Sequence, residues 1–185
     1  MKYQTQTYTA KMKVAEFVKR FVDVEKFLAF CKECPNYNVC NSCPPYDFDP
    51  LDVWQDYEEV KIVGIQIIIP PEIAGTTMSK AEFLQFYDEV MCDVRNDLYH
   101  SLREEEEAAP GRYLLHPGRC SLCGKEECDR TRCGCKHPDL RRYSIEALGG
   151  DVCAVTGEML GLELCWVEDG VMPTYLCQVG GVLYK

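Results

Sequence analysis

The chain has 185 residues, of which 46% are hydrophobic, and a formal net charge of −10. This length and composition predict one globular domain over residues 1–185. The acidic charge argues against a nucleic-acid-binding or membrane-surface protein, because phosphate groups are neutralised by Lys and Arg. The N-terminus carries no apolar leader, and the longest apolar run, IVGIQIIIPP, is too short to span a bilayer. We therefore expect a cytoplasmic location and no membrane association.

The first part of the chain predicts a strand, a helical region and a central strand. Residues 3–10 alternate and are rich in Thr and Tyr, which is typical of a strand. From Val14 to Leu28 apolar side chains recur at helical spacing, so the helical region leads directly to Cys31. Residues 60–69, VKIVGIQIII, are β-branched and nearly continuous in hydrophobicity, which predicts a buried central strand.

The middle of the chain predicts one long helix. Ser79 and Glu82 form a capping-box signature, and apolar residues from Phe83 to Leu102 mark one helical face. The helix ends near the acidic run EEEEAAPG, where we expect fraying because the helix dipole disfavours negative charge. A short strand over 113–115 follows.

The last part predicts a helix and further strands. Ser144 and Asp151 are expected N-caps, and a helix over 152–160 is stopped by Gly161. LELCWV predicts a strand, EDG a turn, and TYLCQV with VLY one or two more strands. Together the patterns predict an α+β fold, in which helices pack on an antiparallel or mixed sheet and two cysteine-rich metal loops are attached.

Thirteen cysteines are present, an odd number that argues against a fully paired disulfide framework. In the cytoplasm dense cysteines indicate metal or redox chemistry. The first cysteine segment, residues 31–46 (CKECPNYNVCNSCPPY), contains the pairs Cys31/Cys34 and Cys40/Cys43. Its final Cys-Pro is typical of bacterial ferredoxin motifs, although the spacing differs. A tetrahedral zinc site, with an unusually short stretch between the pairs, is the alternative.

The second cysteine segment, residues 119–138 (RCSLCGKEECDRTRCGCKHP), has irregular spacing in a Gly- and charge-rich loop. Such spacing is more typical of an iron–sulfur cluster than of a zinc knuckle, because a cubane needs thiolates from several directions. The candidate ligands are Cys120, Cys123, Cys128 and Cys135, with Cys133 or His137 as substitutes. The cysteines that stand alone in predicted helices or strands are assigned to packing: Cys92, Cys153, Cys165 and Cys177.

Several of these elements resemble one family. CPPY at 43–46, the later CxxC, KHP at 136–138 and SIEALGGDV at 144–152 resemble the bacterial and archaeal predicted metal-binding proteins, a domain of unknown function. That family has C…CPP, GPCxxC, C-[RK]-H-P and R-P-S-[ML]-E-A elements in this order. This chain has Tyr143 in place of the proline, a longer gap before Cys128, and two additional cysteines, Cys40 and Cys133. The resemblance implies metal binding, usually expected to be an iron–sulfur cluster, and no established reaction.

Two further groups of residues have more than one interpretation. The first group consists of four polar side chains that follow the second cysteine segment, where a helix is predicted to begin. They either contact an anion or substrate beside the cluster, or cap the helix and form salt bridges. These are Arg141, Arg142, Ser144 and Glu146. We expect Tyr37 and Tyr46 to shield a cluster from water. No catalytic triad, phosphate-binding glycine loop or dinucleotide fingerprint is present, so whether the protein is an enzyme stays open.

The resulting hypothesis is a protein with one or two [4Fe–4S] clusters, acting in electron transfer or as redox accessory to a partner enzyme. One cluster would use the first segment, through Cys31, Cys34, Cys40 and Cys43. The other would use the second segment, through Cys120, Cys123, Cys128 and Cys135, with Cys133 in reserve. A single cluster fed from both segments, a zinc-stabilised interaction module and a cluster-dependent enzyme remain alternatives. We expect a protein redox partner, and the sequence leaves the oligomeric state open.

Overall fold

The computed structural model describes residues 3–124 and 128–185. Within these residues a four-stranded antiparallel sheet in the order β1–β2–β4–β3 carries helices on both faces, which confirms the predicted α+β class. The elements in chain order are β1 Gln4–Lys13, α1 Val14–Phe21, α2 Val24–Glu33, α3 Pro50–Gln55, β2 Glu59–Ile68, α4 Lys80–Phe86, a π-helical turn Tyr87–Met91, α5 Cys92–Glu107, β3 Arg112–Leu115, α6 Arg130–Cys133, a 3-10 helix Glu146–Leu148, α7 Val152–Leu160 and β4 Tyr175–Tyr184.

The central strand β2 pairs with β1 on one side and with β4 on the other. Its Ile62 packs with Phe17 and Trp54 on the face covered by α1, α3 and α7. The adjacent Val63 packs with Leu98 of α5 on the opposite face. Successive side chains of a strand point to opposite faces of the sheet, and helices cover both faces of β2. Side chains on both faces of β2 therefore pack in a core, which explains its nearly continuous apolar sequence.

Most local predictions are confirmed. Ser79 and Glu82 form the reciprocal capping box. Asp151 accepts a hydrogen bond from the backbone N–H of Ala154 at the start of α7, and Gly161 ends that helix in the left-handed region. No helix within residues 3–124 and 128–185 combines the length and apolarity needed to cross a bilayer.

The strand predicted for LELCWV is wrong, because residues 162–167 form no strand. Both edges of β2 are already paired, and Leu162 instead packs into the core below α7, close to Gly64 of β2. The apolar pattern of this segment is therefore satisfied by side-chain burial alone. The segments TYLCQV and VLY form one continuous strand, β4.

The long helix ends within the acidic run EEEEAAPG, as predicted, and tertiary contacts hold the end at which we expected fraying. The helix continues to Glu107, and Glu106 is buried. Its carboxylate accepts hydrogen bonds from the Arg103 and Arg142 guanidinium groups and from the backbone N–H of Leu114. Tertiary partners thus outweigh the unfavourable position of an acidic side chain at a helix C-terminus.

Candidate metal centre

The two cysteine segments are far apart in the chain and lie against each other in the fold. The first connects α2 to α3, and the second follows β3. The backbone N–H and the side-chain Nδ2 of Asn41 donate to the Cys128 sulfur over 3.3 and 3.4 Å. The backbone N–H of Cys120 donates to Ser42 Oγ over 3.2 Å. The fold therefore places thiols of both segments at one junction.

Arg130, at the start of α6 in the second cysteine segment, donates hydrogen bonds to backbone carbonyls of the first segment. Its backbone N–H donates to the Val39 carbonyl over 2.8 Å. Its guanidinium donates to the carbonyls of Cys43 and Pro45, each over 2.6 Å. Asp129 orders the start of α6 by accepting from the backbone N–H groups of residues 131 and 132. These contacts fix the backbone around the Cys40/Cys43 pair, and none of them involves a sulfur atom.

Cys40 lies at the centre of the junction and is 1% exposed. Its sulfur is 3.3 Å from Ser42 Oγ, whose oxygen also accepts from the Cys120 N–H. A hydrogen bond from the Cys43 thiol lowers the pKa of Cys40, assisted by Ser42 and Cys128 and opposed by burial. The same hydrogen bond, together with burial, raises the pKa of Cys43. The pair thus favours a thiolate on Cys40, the form that binds metals.

The remaining thiols around the junction are harder to ionise. Burial raises the pKa of Cys120 to about 11, and the nearby Cys40, Cys128 and Cys123 contribute further. Burial and then Cys128 raise the pKa of Cys123, and burial and then Cys34 raise that of Cys31. Thiolates so near one another repel, and a bound cation would reverse this effect. Sulfur donors of this kind suit thiophilic metals such as zinc or the iron of a cluster.

The thiols adjoin one another without forming a closed coordination sphere. Within residues 3–124 and 128–185, no group of three or more His, Cys, Asp or Glu side chains is arranged to hold one ion. Cys34 and Cys133 are exposed. The Cys133 thiol faces its own backbone, 3.4 Å from the Asp129 carbonyl, and Cys34 accepts from Asn36 Nδ2 over 3.6 Å. His137 accepts through its carbonyl from the N–H groups of residues 140 and 141.

An aromatic wall lies beside the first cysteine segment. The Tyr46 ring stacks on Phe48 with centroids 4.7 Å apart and meets Tyr143 edge-on at 5.1 Å. The Tyr46 hydroxyl donates to the Ser42 carbonyl over 2.8 Å, and burial raises the pKa of Tyr46. Tyr46 therefore lies against the first cysteine segment, and its role in shielding a cluster stays a prediction. Tyr143, which stands where the family motif has proline, belongs to the same wall.

The polar residues at the start of the 3-10 helix have two kinds of surroundings: three make structural hydrogen bonds, and Glu146 lines a pocket. Ser144 Oγ accepts from the backbone N–H of Ala147 over 3.2 Å, as predicted for a cap. Arg142 donates to the buried Glu106 and Arg141 donates to the Tyr143 hydroxyl, so both arginines have structural partners. Glu146 instead lines a pocket beside the first cysteine segment, and burial raises the pKa of its carboxyl.

The isolated cysteines do not all serve packing. Cys177 of β4 is half-buried and packs against the main core, as predicted. Cys153 is exposed, because the buried side of α7 is formed by Val155, Thr156 and Leu160. Cys165 lies outside any strand.

Sequence reasoning identified the cysteines and missed the residues that join the two segments. Asn41, Ser42 and Arg130 carry these contacts. Two features of the sequence could have indicated these contacts. One is the pair of small polar residues between Cys40 and Cys43, and the other is the position of Arg130 directly after the N-cap Asp129.

The family model described as "Predicted metal-binding protein (DUF2284)" matches residues 18–184. No curated protein and no solved structure shows a significant match.

Proposed function

The chain belongs to this family of predicted metal-binding proteins, and on that premise we propose that its two cysteine segments jointly hold a [4Fe–4S] cluster used in electron transfer. When bound, such a cluster supplies one-electron oxidation and reduction. The protein would act in the cytoplasm as an electron carrier or as redox accessory to a partner enzyme.

The observation that carries the proposal is the pair of Asn41 donors, one backbone and one side-chain, on the Cys128 sulfur. Hydrogen bonds to ligand sulfurs tune the reduction potential of iron–sulfur clusters. A buried thiolate-prone cysteine, Cys40, lies at the same junction. This combination supports a redox site more directly than a folding staple, which needs only ligands and geometry.

The contacts favour a ligand set drawn from both segments. Cys40 interacts with Cys43 within the first segment and with Cys128 of the second. Cys120 is influenced by Cys40 and Cys128. We therefore assign a shared cluster to these four thiols. In the other assignment each segment holds its own cluster, which adds Cys31, Cys34, Cys123 and Cys135, with Cys133 as substitute.

A protein redox partner fits the surface beside the site. Phe30, Val39 and Leu140 are large apolar side chains that are 63%, 43% and 45% exposed, and each lies next to a cysteine segment. Exposed apolar side chains near an electron-transfer centre favour a transient protein interface.

The test is metal and sulfide analysis with an absorption spectrum, on protein purified without oxygen. About four irons and four sulfides per chain, with a broad band near ~400 nm that bleaches on reduction, are expected for one shared cluster. About eight of each would support separate clusters. Stoichiometric zinc without a visible band would refute the redox proposal and leave a zinc-stabilised module.

Substitutions separate the two assignments. Under the shared assignment Cys128→Ser should remove all of the iron, whereas Cys153→Ser, at an exposed position on α7, should retain it. Under the shared assignment Cys40→Ser should cause the same complete loss; if it removes only half of the iron, the segments bind independently. Asn41→Ala deletes one donor to Cys128 and should make the reduction potential more negative at unchanged iron content.

A further inference from the structure

A pocket of about 170 Å³ lies between α2, the end of the first cysteine segment and the 3-10 helix. From α2 it is lined by Val24, Leu28 and Cys31, which share one helical face at i, i+4 and i+7. The opposite wall includes Pro45 and Phe48. The wall is therefore mainly apolar.

The α2 stripe is not used to build the core. No residue of α2 is fully buried, although the helix has an apolar face. An apolar helix face normally packs against another element. Here it borders an open pocket, so apolar surface remains available for a ligand.

One carboxylate-bearing residue, Glu146, lines this mainly apolar pocket at the start of the 3-10 helix. Its carboxyl has hydrogen bonds from the Ser144 side chain and from its own backbone, and both donors are neutral. The two arginines that precede it in the chain are engaged elsewhere, Arg142 with Glu106 and Arg141 with Tyr143. A buried carboxylate with only neutral donors is still costly, and a cationic N–H donor stabilises it more strongly than a neutral one.

We propose that this pocket binds a small organic amine, with its ammonium group on Glu146 and its apolar body against the α2 stripe and Phe48. The volume fits a ligand of this size, since an apolar cavity of about 150 Å³ is sufficient for benzene. A largely apolar concave site with one directing polar group is the usual composition of a small-molecule site. The net charge of −10 also favours a cation over an anion.

The proposal goes beyond the redox function and does not depend on it, because no cluster atom is needed for the binding. Cys31 nevertheless lines the pocket, so a bound amine would lie next to a candidate cluster ligand. Binding and metal content are therefore measured on the same preparation of the full chain.

The experiment compares three probes of similar size by isothermal titration calorimetry: benzylamine, benzyl alcohol and benzoate. Benzylamine should bind at least tenfold more tightly than benzyl alcohol, and benzoate should not bind. Glu146→Gln should weaken benzylamine at least tenfold and change benzyl alcohol less than threefold. Equal binding of benzylamine and benzoate, or no effect of Glu146→Gln, would overturn the proposal.

A second pair of variants tests the location. Leu28→Trp fills the pocket and should abolish binding of benzylamine, whereas Phe30→Trp adds an indole to the exposed side of the same helix and should leave it unchanged. Loss in both variants or in neither would place the amine elsewhere. Iron and zinc analysis of the same samples keeps the outcomes separate: amine binding without iron refutes only the redox function, and iron without amine binding refutes only the pocket.

Discussion

The buried carboxylate of Glu106 provides the sharpest stability test. Its side chain is 6% exposed and pairs with Arg103 and Arg142, whose side chains are 11% and 19% exposed. Glu106→Gln keeps the shape and removes the charge, so two largely buried guanidinium groups lose their anionic partner. Removing one partner of a buried ion pair costs about 3–5 kcal/mol. We expect about 3 kcal/mol, because the Gln oxygen still accepts from the Leu114 N–H.

The neighbouring Glu107 supplies a matched control. Its side chain is 64% exposed and lies 3.9 Å from Arg103 Nε. Exposed pairs contribute at most about 1 kcal/mol, so Glu107→Gln should change the free energy of unfolding by about 0.5 kcal/mol or less.

The assay is urea unfolding followed by circular dichroism, on samples of equal metal content because bound metal stabilises the folded state. At about 2–4 °C per kcal/mol for a chain of this size, Glu106→Gln should also lower the melting temperature by roughly 6–12 °C. If the two variants differ by less than about 0.5 kcal/mol, the buried network does not contribute as argued.

The network also bears on the metal site, because both arginines bind the segment that follows the second cysteine segment. Arg103 donates to the Leu140 carbonyl over 2.7 Å, and Arg142 to the Asp139 carbonyl over 2.9 Å. Glu106→Gln should therefore release metal to a chelator faster than Glu107→Gln.

Three further predictions concern single positions. Burial lowers the pKa of His116 to about 4, whereas in the unfolded chain it is near ~6.5. The unfolded state therefore takes up the proton first, and the free energy of unfolding should fall by up to about 3 kcal/mol from pH 6.5 to 4. His116→Gln should flatten this dependence in urea titrations, and an unchanged slope would contradict it. Ser79→Ala removes the cap contact to Glu82 and should cost about 1 kcal/mol in the same assay. Gly149→Ala should cost at least about 2 kcal/mol, because Gly149 has φ of +82° and an added Cβ would stand 2.7 Å from Val24 Cα; wild-type stability would refute the steric reasoning.

Local sequence patterns were sufficient to predict elements that are determined by a repeating pattern of burial or by hydrogen bonds between near neighbours in the chain. β2 was predictable because cover on both faces leaves no polar side to interrupt its apolar run. The capping box of α4 was predictable because its two hydrogen bonds lie within four residues.

The predictions that differ from the structure concern segments whose conformation depends on residues far away in the chain. The end of α5 looked unfavourable for helix, yet Glu106 is held by Arg142, which lies 36 residues later. The segment 162–167 has the composition of a strand, but both sides of β2, the strand against which Leu162 packs, are already paired with β1 and β4. Neither fact is visible in a local window, because each depends on residues that are distant in the chain.

The junction of the cysteine segments illustrates the same limit and has a consequence for metal binding. The motifs identified the thiols, but the antiparallel pairing of β3 with β4 fixes where the second segment begins, which no local pattern shows. The contacts of Arg130 with Val39, Cys43 and Pro45 then hold the segments together through carbonyl groups alone. Small zinc fingers differ, since there the metal itself supplies the folding energy. In this chain sulfur-independent contacts also join the two segments, so we expect the fold to persist when a chelator removes the metal, and loss of the circular dichroism signal on chelation would contradict this.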